Sequence, residues 1–96
     1  MKKVSFRQAI KELGYEIVDY HNGYNYRSAF AKDKDNQLWY FSISDLRDTH
    51  PTVMRRTAED TSDYTGGRNM FDVEDMLEDL GLYIKENRKN CDYNGE

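Results

Sequence analysis

At 96 residues the chain fits one domain and leaves no room for a second. A third of its residues are charged, yet eight Tyr, four Phe and one Trp supply enough large rings for a small core, which excludes a disordered chain. A net charge of -4 argues against a dedicated phosphate-backbone grip, and a single Cys excludes an internal disulfide.

The start, Met1 to Arg7, is basic but has no apolar run after it, so no signal peptide is predicted. No window approaches the length of a membrane span. The expectation is a soluble, cytoplasmic protein. The first element is a helix. Ser5 is placed as its cap, with Gln8 three residues on to complete a capping box. Phe6, Ala9, Ile10 and Leu13 follow at helical spacing, and Gly14 stands where a helix ends on positive φ.

Tyr15 to Tyr20 reads as a strand, and His21-Asn22-Gly23 as a hairpin turn into a second strand, Tyr24 to Lys32. Asp33 to Gln37 is a polar turn. Leu38 to Ser44, "LWYFSIS", carries the strongest β-signal. Its Trp39, Phe41 and Ile43 share one face, which is expected to meet the helices. Asp45 to Pro51 is an irregular connection, and Thr52 to Ala58 alternates as a fourth strand. Asp60 to Arg68 is loop.

Asp72 is placed to cap a second helix, with Val73, Met76, Leu77, Leu80 and Ile84 on one stripe. One echo divides the reading of its end. "KELGYEIV" (Lys11–Val18) and "EDLGLYIK" (Glu78–Lys85) share a helix end, Leu-Gly, and a β-prone stretch. Either the helix stops at Leu80 and Leu82 to Lys85 is a short last strand, or it runs on to Ile84. The expected architecture is α+β: an N-terminal helix, an antiparallel sheet of three to four strands, and a C-terminal helix on the same face. Residues 1–86 form that domain, and 87–96 a flexible polar tail.

The charge is unevenly spread. Residues 59–79 hold eight carboxylates against Arg68 alone, a local charge of -7. This makes Glu59, Asp60, Asp63, Asp72, Asp75, Glu78 and Asp79, with the neighbouring Tyr64, the candidate surface for a protein partner. The competing reading is a loop followed by the wet face of an amphipathic helix. A second candidate uses tyrosines and arginines. Tyr24, Tyr26, Arg55 and Arg56 supply rings and charge for weak nucleic-acid or nucleotide binding. Arg27 and Arg68 add charge nearby. Cross-strand ring pairs that only stabilise the sheet are the bland alternative.

Other chemistries find little support. Thr65-Gly66-Gly67-Arg68 lacks the lysine and the spacing of a phosphate loop, and Asp72, Glu74 and Asp75 would repel an anion there. Asp33-x-Asp35-x-Gln37 starts like a calcium loop, but Leu38 and Ser44 stand where its glycine and glutamate belong. Cys91, His21 and His50 form no nucleophilic constellation. No metal, no cofactor and no enzymatic activity are expected.

The order helix, three strands, helix resembles the double-stranded-RNA-binding domain. That family binds RNA through a lysine-rich start to its last helix; here that start is Asp72-Val73-Glu74-Asp75, so the resemblance is one of order and implies no RNA binding. The same order, with small size and an acidic helical side, resembles some phage-encoded anti-CRISPR inhibitors. That resemblance implies a non-enzymatic module of phage or mobile-element type that binds a nucleic-acid-binding protein by mimicking nucleic acid.

Overall fold

A computed structural model describes residues 2–22, 26–44, 53–64 and 70–84. The elements run β1 (Lys2–Val4), α1 (Phe6–Glu12), β2 (Glu16–Asn22), β3 (Tyr26–Lys32), β4 (Leu38–Ser44), β5 (Val53–Thr57), β6 (Phe71–Asp72), α2 (Glu74–Asp79) and β7 (Leu82–Ile84). Strands dominate. The expected helix–sheet–helix layout with three to four strands is therefore wrong. The main sheet has five antiparallel strands in the order β2-β3-β4-β5-β6, and a separate parallel pair joins β1 to β7.

The physical reason lies in element length. β6 has two residues and β1 and β7 have three each, too short to show an alternating pattern. Each exists because a distant segment offers its backbone as a partner. Lys2 pairs with Leu82 and Val4 with Ile84; Met54 pairs with Asp72 and Arg55 with Phe71. The two helices are only seven and six residues long.

α1 begins where Ser5 Oγ accepts the Gln8 N–H at 3.1 Å. The Gln8 amide donates forward to Glu12 at 3.0 Å instead of completing the box. The helix ends in a Schellman arrangement. Gly14, at φ 95°, donates to the Lys11 carbonyl, and Tyr15 donates to the Ile10 carbonyl. α2 ends in a related way: Gly81, at φ 72°, donates to the Glu78 carbonyl, and the chain then extends into β7. The Leu-Gly echo thus marks two helix-to-strand corners, and the helical reading through Ile84 fails. Asp72 is not the residue that enters α2. It lies in β6, and its carboxylate accepts the Glu74 N–H at 2.7 Å from there.

The core sits between the helices and one sheet face. Phe6, Ala9 and Ile10 of α1 and Leu77 of α2 meet Ala29, Ala31, Phe41, Ile43 and Val53, all buried. Trp39, Phe41 and Ile43 share this face as expected, with Trp39 only partly buried. A register shift between Ile17 and Asp19 lets Ile17 and Tyr20 both face the helices despite their odd spacing.

The opposite face is covered as well. Phe30 is on that side and is fully buried. Tyr40 packs on it with ring centroids 5.1 Å apart, and Tyr64, from the segment after β5, at 5.4 Å. The sheet therefore has a helical side and a back side closed by a folded-over loop. Among the described residues no helix is long and apolar enough to cross a membrane.

Candidate interaction surfaces

The acidic run falls in two groups. β5 divides it. Asp72 pairs with Met54 near the start of that strand, while Glu59 and Asp60 follow its end. Five residue steps of largely extended chain carry Met54 to Glu59, about 16 Å.

Asp63 is a buried member of the back-side loop and not a surface residue, which corrects its place in the expected binding set. Its Oδ2 accepts the Glu59 N–H at 2.9 Å and lies 3.9 Å from Arg56 Nη1. Its carbonyl accepts Arg56 Nη2 at 2.6 Å. Asp60 Oδ1 accepts the Ser62 N–H, and the Asp60 carbonyl accepts the Asp63 N–H. These bonds fold the loop over the sheet and set the Tyr64 ring on Phe30, Tyr40 and His21. Desolvation against the sheet, with Asp19 nearby, raises the Tyr64 phenol above its ordinary value, so it stays neutral. The exposed Glu59 and Asp60 line an open cleft of about 540 Å3 with Val18, Lys32, Leu38 and Thr61.

The second acidic group is on α2. Val73 and Leu77 turn inward, which leaves Asp75, Glu78 and Asp79 exposed at i, i+3 and i+4, one helix face. None of the three has an ion pair among the described residues. Two large apolar side chains flank the helix in sequence: Phe71 before it is 54% exposed and Leu80 after it 51%.

The tyrosine–arginine set is dispersed. Arg56 is buried, with its guanidinium 4.5 Å from the Tyr40 ring centre on the back side. Arg55, one residue earlier, points to the helical side, 4.4 Å from the Trp39 ring centre, and donates to Tyr15 Oη at 2.6 Å. Adjacent strand residues point to opposite faces, so these two cannot form one cationic surface. Arg27, expected to offer charge, is buried on the core face opposite Ile43. Tyr26 is exposed at its strand end, and Tyr24 lies outside the described residues. Tyr15 and Tyr20 pack on the helical side, against Phe41 and Phe6.

The sequence reading missed the role of the Asp33 turn. Asp33 Oδ1 accepts the N–H groups of Asp35 and Gln37, and Oδ2 accepts Trp39 Nε1 at 3.0 Å. Chiefly the Trp39 bond holds the Asp33 carboxyl below its usual range. A carboxylate so engaged is a turn lock, and Asn36 beside it takes φ 68°. An Asp two residues before Asp35 and six before a Trp was the available signal. His21 Nε2 lies 3.1 Å from Asp19 Oδ2 on the back side, with both side chains partly exposed. Among the described residues no His, Cys, Asp or Glu group is arranged to hold a metal ion. The glycine pair, His50, Arg68 and Cys91 lie outside the described residues.

No known protein family, no characterised relative and no solved structure matches this chain.

Proposed function

We propose that the protein is a small non-enzymatic interaction module that binds a protein partner through the exposed side of α2. The observation that carries this reading is the trio Asp75, Glu78 and Asp79, which share a helix face without compensating ion pairs among the described residues. Uncompensated like charges on one short helix repel one another, so the arrangement costs stability that a cationic partner would return. Phe71 and Leu80 add exposed apolar area, the kind that interface centres use.

The fitting partner is a protein with a basic surface, such as one that itself grips nucleic acid. Relative to the sequence reading, the site contracts to Asp75, Glu78 and Asp79; Asp72 lies in β6 with its carboxylate on the Glu74 N–H. Asp63 belongs to the loop clamp, and Glu59 and Asp60 lie at the far end of β5. Direct nucleic-acid binding through Arg55 and Arg56 together is less favoured, because they face opposite ways.

The test is capture from a bacterial lysate on the immobilised protein, with and without nuclease, followed by mass spectrometry. The reading expects a basic protein that survives nuclease and is lost by an Asp75→Asn/Glu78→Gln/Asp79→Asn variant. Capture that vanishes with nuclease, or that the triple variant retains, would refute it.

A further inference from the structure

Arg55 carries a charge that the described residues do not balance. Its guanidinium lies on the Trp39 ring, and Nη1 donates to Tyr15 Oη. No carboxylate forms an ion pair with it among the described residues, and Nε is buried without an acceptor. A guanidinium has five N–H donors in a rigid fork; one has an acceptor here. Stacking on an indole satisfies the face of the group, not its hydrogen-bonding edge.

This occurs in a chain with 18 carboxylates against 14 Lys and Arg, so acids to pair with it are plentiful. Asp33, the carboxylate bound to the indole on which Arg55 stacks, is spent on the Trp39 Nε1 bond and its own turn. A half-buried fork that the described residues leave unneutralised is costly unless an anion completes it. Beside it, Phe71 is the cross-strand partner of Arg55, shares its sheet face, and is 54% exposed. The buried Nε is out of reach of a ligand, but Nη2, which has no acceptor among the described residues, lies next to an exposed ring, the pairing that flat, oxyanion-bearing molecules require.

We infer that Arg55 and Phe71 form a binding site for a small oxyanion carried on a planar ring, of the nucleoside monophosphate class. The oxyanion takes the free edge of the Arg55 fork, and the ring stacks on Phe71. Trp39 and Tyr15 are positioning residues that hold the guanidinium flat. The site shares Phe71 with the surface proposed above but uses none of the α2 carboxylates, so Arg55→Gln and the α2 triple variant separate the two readings.

Trp39 is the only tryptophan and touches the fork, so its emission reports on occupancy. The experiment titrates the whole chain at low salt with adenosine monophosphate, inorganic phosphate, benzoate and adenosine. It follows Trp39 emission and, independently, the 31P linewidth of the phosphates. The expected result is saturable binding of adenosine monophosphate, weaker binding of inorganic phosphate, and none of adenosine. Benzoate that saturates alongside the nucleotide marks a carboxylate as an accepted source of the same chemistry.

Phe71→Ala, at an exposed position, should remove the nucleotide's advantage over phosphate, a loss between about five- and hundredfold for one stacked ring. Arg55→Gln should abolish the 31P response, and Arg55→Lys, which keeps the charge but not the fork, should leave only weak phosphate binding. An unsaturable titration, an equal response to adenosine, or a 31P response that survives Arg55→Gln would overturn the inference.

Discussion

Asp33 and Asp63 show how carboxylates that look like surface charge become structural. Asp33 receives three N–H donors, one of them from Trp39. Its lowered pKa fixes the sign of its pH dependence. The stability it supplies is fully present above the ordinary carboxyl value of about 3.9 and is lost as pH falls through the lower folded-state value. Thermal melts should therefore find wild type above Asp33→Asn at neutral pH, with the gap closing on acidification. A gap that persists at the acid end would rule out the turn lock. Asp63 is the buried counterpart. Asp63→Ala removes the acceptor of the Glu59 N–H and the charge beside Arg56, and should cost about 1–3 kcal/mol in urea unfolding. The same variant should increase exposure of the Tyr64 and Tyr40 rings, because the loop that seats them loses its anchor.

The two helix-to-strand corners define the middle scale. Gly14 and Gly81 both have positive φ, and a Cβ at either would meet no atom within 4 Å. The penalty for alanine is thus backbone strain without a clash, roughly 1–2 kcal/mol at each site. Gly14→Ala and Gly81→Ala should each lower the unfolding midpoint by a comparable amount, and the double variant should be additive, since the corners end different helices. A clearly smaller effect at Gly81 would mean that β7 pairing tolerates another path out of α2.

Much at this scale was legible in the sequence. Ser5 and Gly14 bracket α1, the alternation of "LWYFSIS" sets the core face of β4, and the repeated Leu-Gly marks both corners. The sheet's extent was not legible. Phe71–Asp72 and Lys2–Val4 are strands only because Arg55 and Leu82–Ile84 lie beside them, and pairing between distant segments leaves no local pattern. The candidate surface was half legible for the same reason. Residue counting found the acids, but whether Asp63 turns inward depends on Arg56 pointing to the back of the sheet.

At the scale of the described fold, the five-stranded sheet is closed on one side by two short helices and on the other by a clamped loop. That arrangement consumes several groups which looked functional and leaves the outer side of α2 charged, with no ion pair among the described residues. Charges of that kind act on encounter as well as on affinity, so binding through them weakens with salt. Asp72, whose carboxylate meets the Glu74 N–H, is left intact in any test because its loss would perturb the helix itself.

The most direct measurement is the affinity of the captured partner, by titration calorimetry at moderate and high salt. It compares wild type, Asp75→Asn/Glu78→Gln/Asp79→Asn, and Glu59→Gln/Asp60→Asn. The account predicts at least a tenfold loss for the α2 triple variant, a loss on raising salt in wild type, and near-wild-type binding for the Glu59/Asp60 pair. Equal affinity in the α2 variant and wild type, or a loss confined to the Glu59/Asp60 variant, would contradict it.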